Sequence, residues 1–239
     1  MSSTTKTSRR PLDAYSTDPR VALAVCRRLA DMDVLFDGAR VLEPHVGDDA
    51  PWLLALAQVA RERGWTLHIT VCDIDPEVRG LTIFPGLLNE VDDVVVEVLP
   101  FADFLVWGKA TERRWDVTVG NPPFSDVEPG KKKGPVVAHK HIDVALRVST
   151  WACMLTRIGL LTTSQQRTWG RDNPPPHRFD LWPRPSFTGK SSDSTEYTNG
   201  LWGPTLGAQT YEILDWHEVG RWPDGVDPQL AAAAGTLPW

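Results

Sequence analysis

Residues 115–124 are Trp-Asp-Val-Thr-Val-Gly-Asn-Pro-Pro-Phe (WDVTVGNPPF), and their reading decides the fold. Asp116 to Val119 has the apolar, β-branched character of a short buried strand. Gly120-Asn121-Pro122-Pro123-Phe124 then ends it, because two consecutive prolines lack the N–H groups a central ladder needs and fix φ at both positions. The strand stops abruptly in a stiff turn that presents an amide and an aromatic ring. In open α/β sheets ligands bind at that end of the strands.

Upstream, three segments supply acids at the same kind of place. Residues 11–20 are turn-rich, with Thr17 as an N-cap and Pro19 at an early position of a helix over about 18–29. Ala39 to Pro44 (ARVLEP) is a strand that runs into His45-Val46-Gly47-Asp48-Asp49. A helix over 50–62, ended by Gly64, leads to a second strand over 66–72 that stops at Asp73-Ile74-Asp75-Pro76. Glu43 and Asp73 thus tip successive strands of one Rossmann-like unit of about 30 residues. A carboxylate at such a tip accepts from a ribose diol. No GxGxxG is present, Asp49 stands where a glycine often follows Gly47, and an acidic tip repels pyrophosphate. A ligand with a ribose and an amino end but no phosphate tolerates these acids, a description that fits S-adenosylmethionine. After a less regular stretch over 77–90, Val94 to Leu99 alternates like a third strand, and Asp103 and Phe104 follow it.

Downstream, Gly130-Lys131-Lys132-Lys133-Gly134 is a short polar loop. Apolar spacing predicts a helix over 137–152 and a strand over 155–163, with a break at Arg157 to Gly159. Further candidate strands are Phe179–Trp182, Tyr197–Trp202 and Tyr211–Trp216. The whole reads as one α/β domain over 13–220, between a polar tail at 1–12 and a C-terminal tail at 221–239, without an internal repeat.

The charge is uneven. Residues 121–190 carry eleven Lys/Arg against five Asp/Glu (+6), and the remainder fourteen against twenty-six (−12), for the total of −6. The basic segment begins at the Asn121 turn, as a surface tracking phosphates beside it would; a solvated charged region is the competing reading. No apolar run approaches the roughly 20 residues of a membrane span, and the start MSSTTKTSRR lacks the apolar stretch of a signal peptide. Cys26, Cys72 and Cys153 are odd in number and without CxxC spacing, which argues against a disulfide framework and a cysteine zinc site and suits a cytoplasmic setting in a bacterial or phage-infected cell. His45, His139 and His141 lack metal-ligand spacing and read as surface or core histidines. Trp169 and Trp182 lie in the basic part and could stack on bases, although core or edge packing is the commoner role for tryptophan.

Taken in order, VLEPHVGDD, VCDIDP, ADF and VTVGNPPF resemble the adenine-specific N6-amino methyltransferases of DNA and their class I S-adenosylmethionine-dependent relatives. RPSFTG followed by SSDSTEY is similar to a late segment of some phage or prophage methylases. The similarity spans about residues 13–203. It implies a Rossmann-like α/β fold with a mostly parallel, seven-stranded sheet flanked by helices. It implies that Glu43, Pro44 and Gly47 hold the amino acid end of the cofactor and that Thr17 contacts its carboxylate. By the same resemblance Asp73 accepts from the ribose, Ile74 packs on the adenine, and Asp103 accepts from the adenine amine with Phe104 beside the ring. Asn121, Pro122, Pro123 and Phe124 are then the catalytic tetrapeptide. The departure is Asp49 in place of a glycine.

Such a turn needs no acid–base triad. The Asn121 amide oxygen and the Pro122 carbonyl can each accept one hydrogen of an aromatic amine and aim its lone pair at the methyl group, while Phe124 offers a stacking face for an extruded base. The expected partner is a nucleic acid, most simply DNA, contacted by Lys131, Lys132 and Lys133 and by recognition loops near 125–135 and 165–195, with no metal, no membrane, and a monomer or weak dimer. RNA adenine or protein glutamine methylation, and a catalytically inactive partner subunit, are the alternatives.

Overall fold

The computed structural model describes residues 16–89, 93–99, 102–125, 135–162, 167–185 and 195–219. The expected tails at 1–12 and 221–239, Lys131, Lys132 and Lys133, and most of the recognition loop near 125–135 lie outside the described residues; of the loop expected near 165–195, residues 167–185 are described and include a helix over Arg167–Asp172 and a strand over His177–Trp182.

Eight strands form one sheet in the order β3-β2-β1-β4-β5-β7-β6-β8. They are β1 (Arg40–Glu43), β2 (Leu67–Val71), β3 (Val94–Val98), β4 (Trp115–Gly120), β5 (Ser149–Arg157), β6 (His177–Trp182), β7 (Tyr197–Trp202) and β8 (Thr210–Asp215). β7 runs antiparallel to both β5 and β6, and every other pairing is parallel. The expected mostly parallel α/β sheet is therefore present. Its strand count is eight rather than seven: β8 adds to the outer side of β6 in a six-residue parallel register, from His177 beside Thr210 to Trp182 beside Asp215. That pairing satisfies backbone groups that β6 would otherwise expose as an edge.

Helices cover both faces. On one side α1 (Pro19–Asp31) and α2 (Pro51–Arg63) pack on each other and on β1, β2, β4 and β5 through a core that includes Val21, Val25, Leu29, Leu53, Leu56 and Ile69. The short helices α3 (Arg79–Thr82) and α4 (Phe84–Leu88) extend that side. On the other side α5 (Phe104–Ala110) and α6 (Ala138–Val148) pack around Leu42, Trp115, Ile142, Ala145 and Met154, and α7 (Gly159–Thr162) and α8 (Arg167–Asp172) complete it. Coverage on both faces explains why β5 is buried throughout apart from Thr150 and Arg157.

Three local expectations need correction. Asp18, not Thr17, caps α1: its carboxylate accepts from the Arg20 amide at 2.9 Å, and Thr17 precedes the cap. The helix expected over 137–152 ends at Val148, and β5 starts at Ser149 instead of 155. A doubly buried strand is apolar at almost every position, so helical spacing continues into it by coincidence and periodicity alone cannot mark the boundary. Finally, α5 follows Asp103 directly, where no helix was expected; Asp103 is its N-cap and accepts from the Leu105 amide at 2.9 Å.

The three cysteines are buried and unbridged, as expected. Among the described residues no helix is long and apolar enough to cross a membrane, and no group of three or more His, Cys, Asp or Glu side chains is arranged to hold a metal ion.

Candidate active site

The sheet order reverses between β1 and β4: β2 and β3 lie beyond β1 on one side, and β5 lies beyond β4 on the other. The crevice at such a switch point is where open α/β sheets bind ligands. Leu42 pairs with Thr118, so Glu43, the last residue of β1, and the 121–124 turn that follows β4 lie at the carboxyl ends of adjacent strands. A cavity of about 320 Å³ bounded by Arg40, His68, Glu97 and Arg113 opens at the opposite end of the strands and is not part of this site.

Glu43 is the most unusual group here. It is fully buried, and neither carboxyl oxygen completes a hydrogen bond. Burial, reinforced by the nearby Asp73 carboxylate, pushes it well above the ordinary carboxylate range, opposed by the backbone amide of Leu53. The Leu53 amide is near it without completing a hydrogen bond, and a buried acid left so is costly; the position has room for a further donor. Thr17 lies just ahead of α1, 2 % exposed, with its Oγ1 likewise buried and unpartnered. Pro44 is buried behind Glu43.

The loop after β1 is held by Asp73. One oxygen accepts from the Gly47 amide at 3.0 Å and the other from the Asp75 amide at 3.0 Å. Burial still raises Asp73 above its ordinary value, against those hydrogen bonds. Each oxygen keeps a lone pair for a further donor. Gly47 has φ +62°, which glycine adopts at no cost, and Ala50 has φ +43°, which a residue with a Cβ does not. The backbone is thus strained at the entrance to α2. Asp48 accepts from the Arg79 amide at 3.2 Å, and Asp49 is half-buried. Gly80 donates to the Gly47 carbonyl at 3.0 Å, and a Cβ on Gly80 would lie 2.3 Å from that oxygen. Gly80→Ala is therefore expected to push α3 off the loop, costing about 1–3 kcal/mol of stability and weakening cofactor binding; thermal unfolding and S-adenosylhomocysteine titration measure both.

Ile74 is 43 % exposed beside this loop, available for an apolar contact. Asp103 faces the same end of the sheet, and the Ala102 amide donates to the Asp73 carbonyl at 3.1 Å, tying the third acid to the second. Phe104 is buried and turns inward, against the rings of His45 (5.7 Å, edge-on) and His141 (6.2 Å, stacked).

His45 Nε2 and His141 Nδ1 share a hydrogen bond of 2.9 Å. Burial, with the neighbouring imidazole, holds His45 well below the usual histidine range. Burial pushes His141 down to about 4, against the pull of Asp103. The folded protein keeps His141 neutral, whereas the unfolded chain protonates it below about pH 6.5. Its contribution to stability is full above that pH and falls as pH drops toward about 4. Urea midpoints at pH 7 and pH 5 should separate more for the wild type than for His141→Gln.

Asn121 is half-buried with its Oδ1 shielded from solvent; Pro122 is buried and Pro123 half-buried. Gly120 lies beside the His45 ring: a Cβ there would be 3.4 Å from His45 Nδ1, an ordinary contact. Phe124 is 6 % exposed, and its backbone carbonyl accepts from the Val137 amide at 3.2 Å. Its ring meets Tyr197 at 5.8 Å, and the Arg157 guanidinium lies 4.8 Å above it.

Glu43, Gly47, Asp73, Asp103 and Asn121 thus lie around one end of the sheet. Arg157 and the His45–His141 pair are the members that sequence reasoning missed. For Arg157 a signal was present, a lone arginine ending an apolar run, but placing β5 six residues late hid it. Trp169 is occupied by Trp202 and by a hydrogen bond to Asp143, whereas Trp182 is 59 % exposed.

No protein-family model matches the chain, and no curated protein is similar to it in sequence. Solved structures do resemble it. A Listeria monocytogenes protein assigned as a class I S-adenosylmethionine-dependent methyltransferase superposes with a TM-score of 0.60 at 13 % identity, over 97 % of this chain and 71 % of that one. The methyltransferase subunit of a type I restriction-modification system from Streptococcus thermophilus gives 0.58 at 15 % identity over 79 % of this chain, which spans 44 % of that subunit. A Pyrococcus horikoshii protein assigned as an RNA methyltransferase gives 0.53 at 15 % identity, over 86 % of this chain and 93 % of that one. The chain has the fold of the class I S-adenosylmethionine-dependent methyltransferases.

Proposed function

We propose that this chain transfers the methyl group of S-adenosylmethionine to the exocyclic N6 amine of adenine in DNA. One observation carries the proposal. An Asn-Pro-Pro-Phe turn ends β4 at the switch point, across from a fully buried Glu43 whose oxygens complete no hydrogen bond.

The residues fit the cofactor. Glu43 suits its ammonium, Thr17 Oγ1 its carboxylate, Asp73 its ribose hydroxyls, and Ile74 and Asp103 its adenine. When bound, S-adenosylmethionine supplies an electrophilic methyl group on a sulfonium. The protein's part is to make a poor nucleophile attack it. The adenine amine has its lone pair delocalised into the ring; acceptance of its two hydrogens by Asn121 Oδ1 and the Pro122 carbonyl draws the nitrogen toward a tetrahedral shape. The prolines hold both acceptors in place beforehand, so no reorganisation is needed at the moment of reaction.

DNA is favoured by the basic balance of residues 121–190 and by the restriction-modification neighbour. RNA is the second reading, supported by the Pyrococcus neighbour. Protein glutamine, the third reading, leaves the basic balance of residues 121–190 without a role. Incubation with methyl-labelled cofactor and a mixture of DNA, RNA and protein separates them. The label is expected in DNA; label confined to RNA or protein moves the function to that substrate, and label in none makes the chain an inactive subunit.

A further inference from the structure

Phe124 is well covered, and what covers it is a cation. The Arg157 guanidinium lies 4.8 Å over the ring, and Tyr197 sits at the ring's side at 5.8 Å. Arg157 is the last residue of β5. The β4–β5 register, with Gly120 beside Met154, carries it alongside the proline turn. Its Nε is shielded from solvent without a hydrogen-bond partner, and among the described residues no carboxylate forms an ion pair with it. A half-buried arginine without a counter-ion is costly, and its planar fork matches a phosphate, the anionic group of a nucleic acid.

Resting on the reading that Phe124 receives the target base, we propose that Arg157 is a specificity-determining residue for a nucleic-acid substrate. Its guanidinium holds the Phe124 face until the base arrives, then passes to a backbone phosphate beside the extruded nucleotide. A planar cation and a planar base stack on an aromatic face with energies of the same order, so the exchange is close to balanced. Its direction is set by the phosphate that the base brings with it. A glutamine side chain or a free amine brings none, and leaves the arginine in place. The segment 121–190, with its balance of +6, contains both Phe124 and Arg157.

The test uses the full chain and its Arg157→Gln and Arg157→Lys variants. A fluorescein-labelled, adenine-containing oligonucleotide is titrated by anisotropy across a salt series, with methyl transfer to the same oligonucleotide measured in parallel. The wild type is expected to bind with a log–log salt slope steeper by about 0.7–0.9 than Arg157→Gln, the share of one phosphate contact. Arg157→Gln should raise KM for the oligonucleotide about tenfold at moderate salt while S-adenosylhomocysteine affinity holds. Arg157→Lys should restore the slope, because the charge is kept. Equal slopes for wild type and Arg157→Gln would overturn the inference. So would a fall in kcat and cofactor affinity with the slope unchanged, which marks Arg157 as a structural support for Phe124. A wild type that labels the oligonucleotide while the slopes are equal removes this inference alone. A wild type that neither binds nor labels nucleic acid removes the adenine reading as well.

Discussion

Asn121→Ala is expected to lower kcat for methyl transfer about 10²–10³-fold, the loss typical of removing one preorganised acceptor or donor at a reacting group, while cofactor affinity stays close to wild type. The separation follows from the strand order. Asn121 is on the β4 side of the switch point, whereas of the acids that suit the cofactor Glu43 ends β1 and Asp73 and Asp103 follow β2 and β3. Alanine leaves Pro122 and Pro123 in place, so the turn keeps its course and the Pro122 carbonyl still accepts one hydrogen. With a single acceptor the amine is neither drawn out of plane nor aimed. Single-turnover methyl transfer and S-adenosylhomocysteine calorimetry on the same preparation give both numbers. Loss of cofactor binding in parallel with turnover would place Asn121 in the cofactor pocket instead.

Glu43→Gln is expected to act in two opposite directions. The Glu43 pKa is raised in the folded state, so the fold favours its protonated form, and ionisation costs stability as pH rises above the unfolded value of about 4.3. A neutral isostere removes that cost, and the free protein should melt at a higher temperature at pH 7. Cofactor binding should weaken about 10–150-fold, the equivalent of a lost charge-assisted hydrogen bond of about 1.5–3 kcal/mol. The same linkage predicts that binding of S-adenosylhomocysteine by the wild type releases protons, because an ammonium at Glu43 demands the carboxylate. Affinity should therefore rise with pH through the raised pKa of Glu43. Calorimetry in two buffers of different ionisation enthalpy detects the release, and Glu43→Gln should abolish it.

The parallel half of the sheet was legible because each strand ends in a sharp chemical change. Glu43-Pro44, Asp73 and Asn121-Pro122-Pro123 break apolar runs with residues that cannot continue a ladder or that ask for a polar partner. The boundary between α6 and β5 was not legible, because Val148 to Thr156 is apolar or β-branched enough to satisfy either period. Asp103 illustrates a different limit. A carboxylate after a strand can bind a ligand or cap a helix, and in this fold it caps α5 through Leu105 while facing the crevice. Pairings between distant segments were hidden altogether. His45 and His141 are 96 residues apart and carry no spacing signal, yet their rings share a hydrogen bond beneath Gly120. Arg157 over Phe124 is of the same kind.

The measurement that bears most directly on the proposed chemistry is mass spectrometry of nucleosides from DNA incubated with the protein and S-adenosylmethionine. N6-methyldeoxyadenosine should accumulate with the wild type and be absent or nearly so with Asn121→Ala. A methylated cytosine in its place, or equal N6-methyldeoxyadenosine from both proteins, would contradict an adenine amine held by the Asn121 turn.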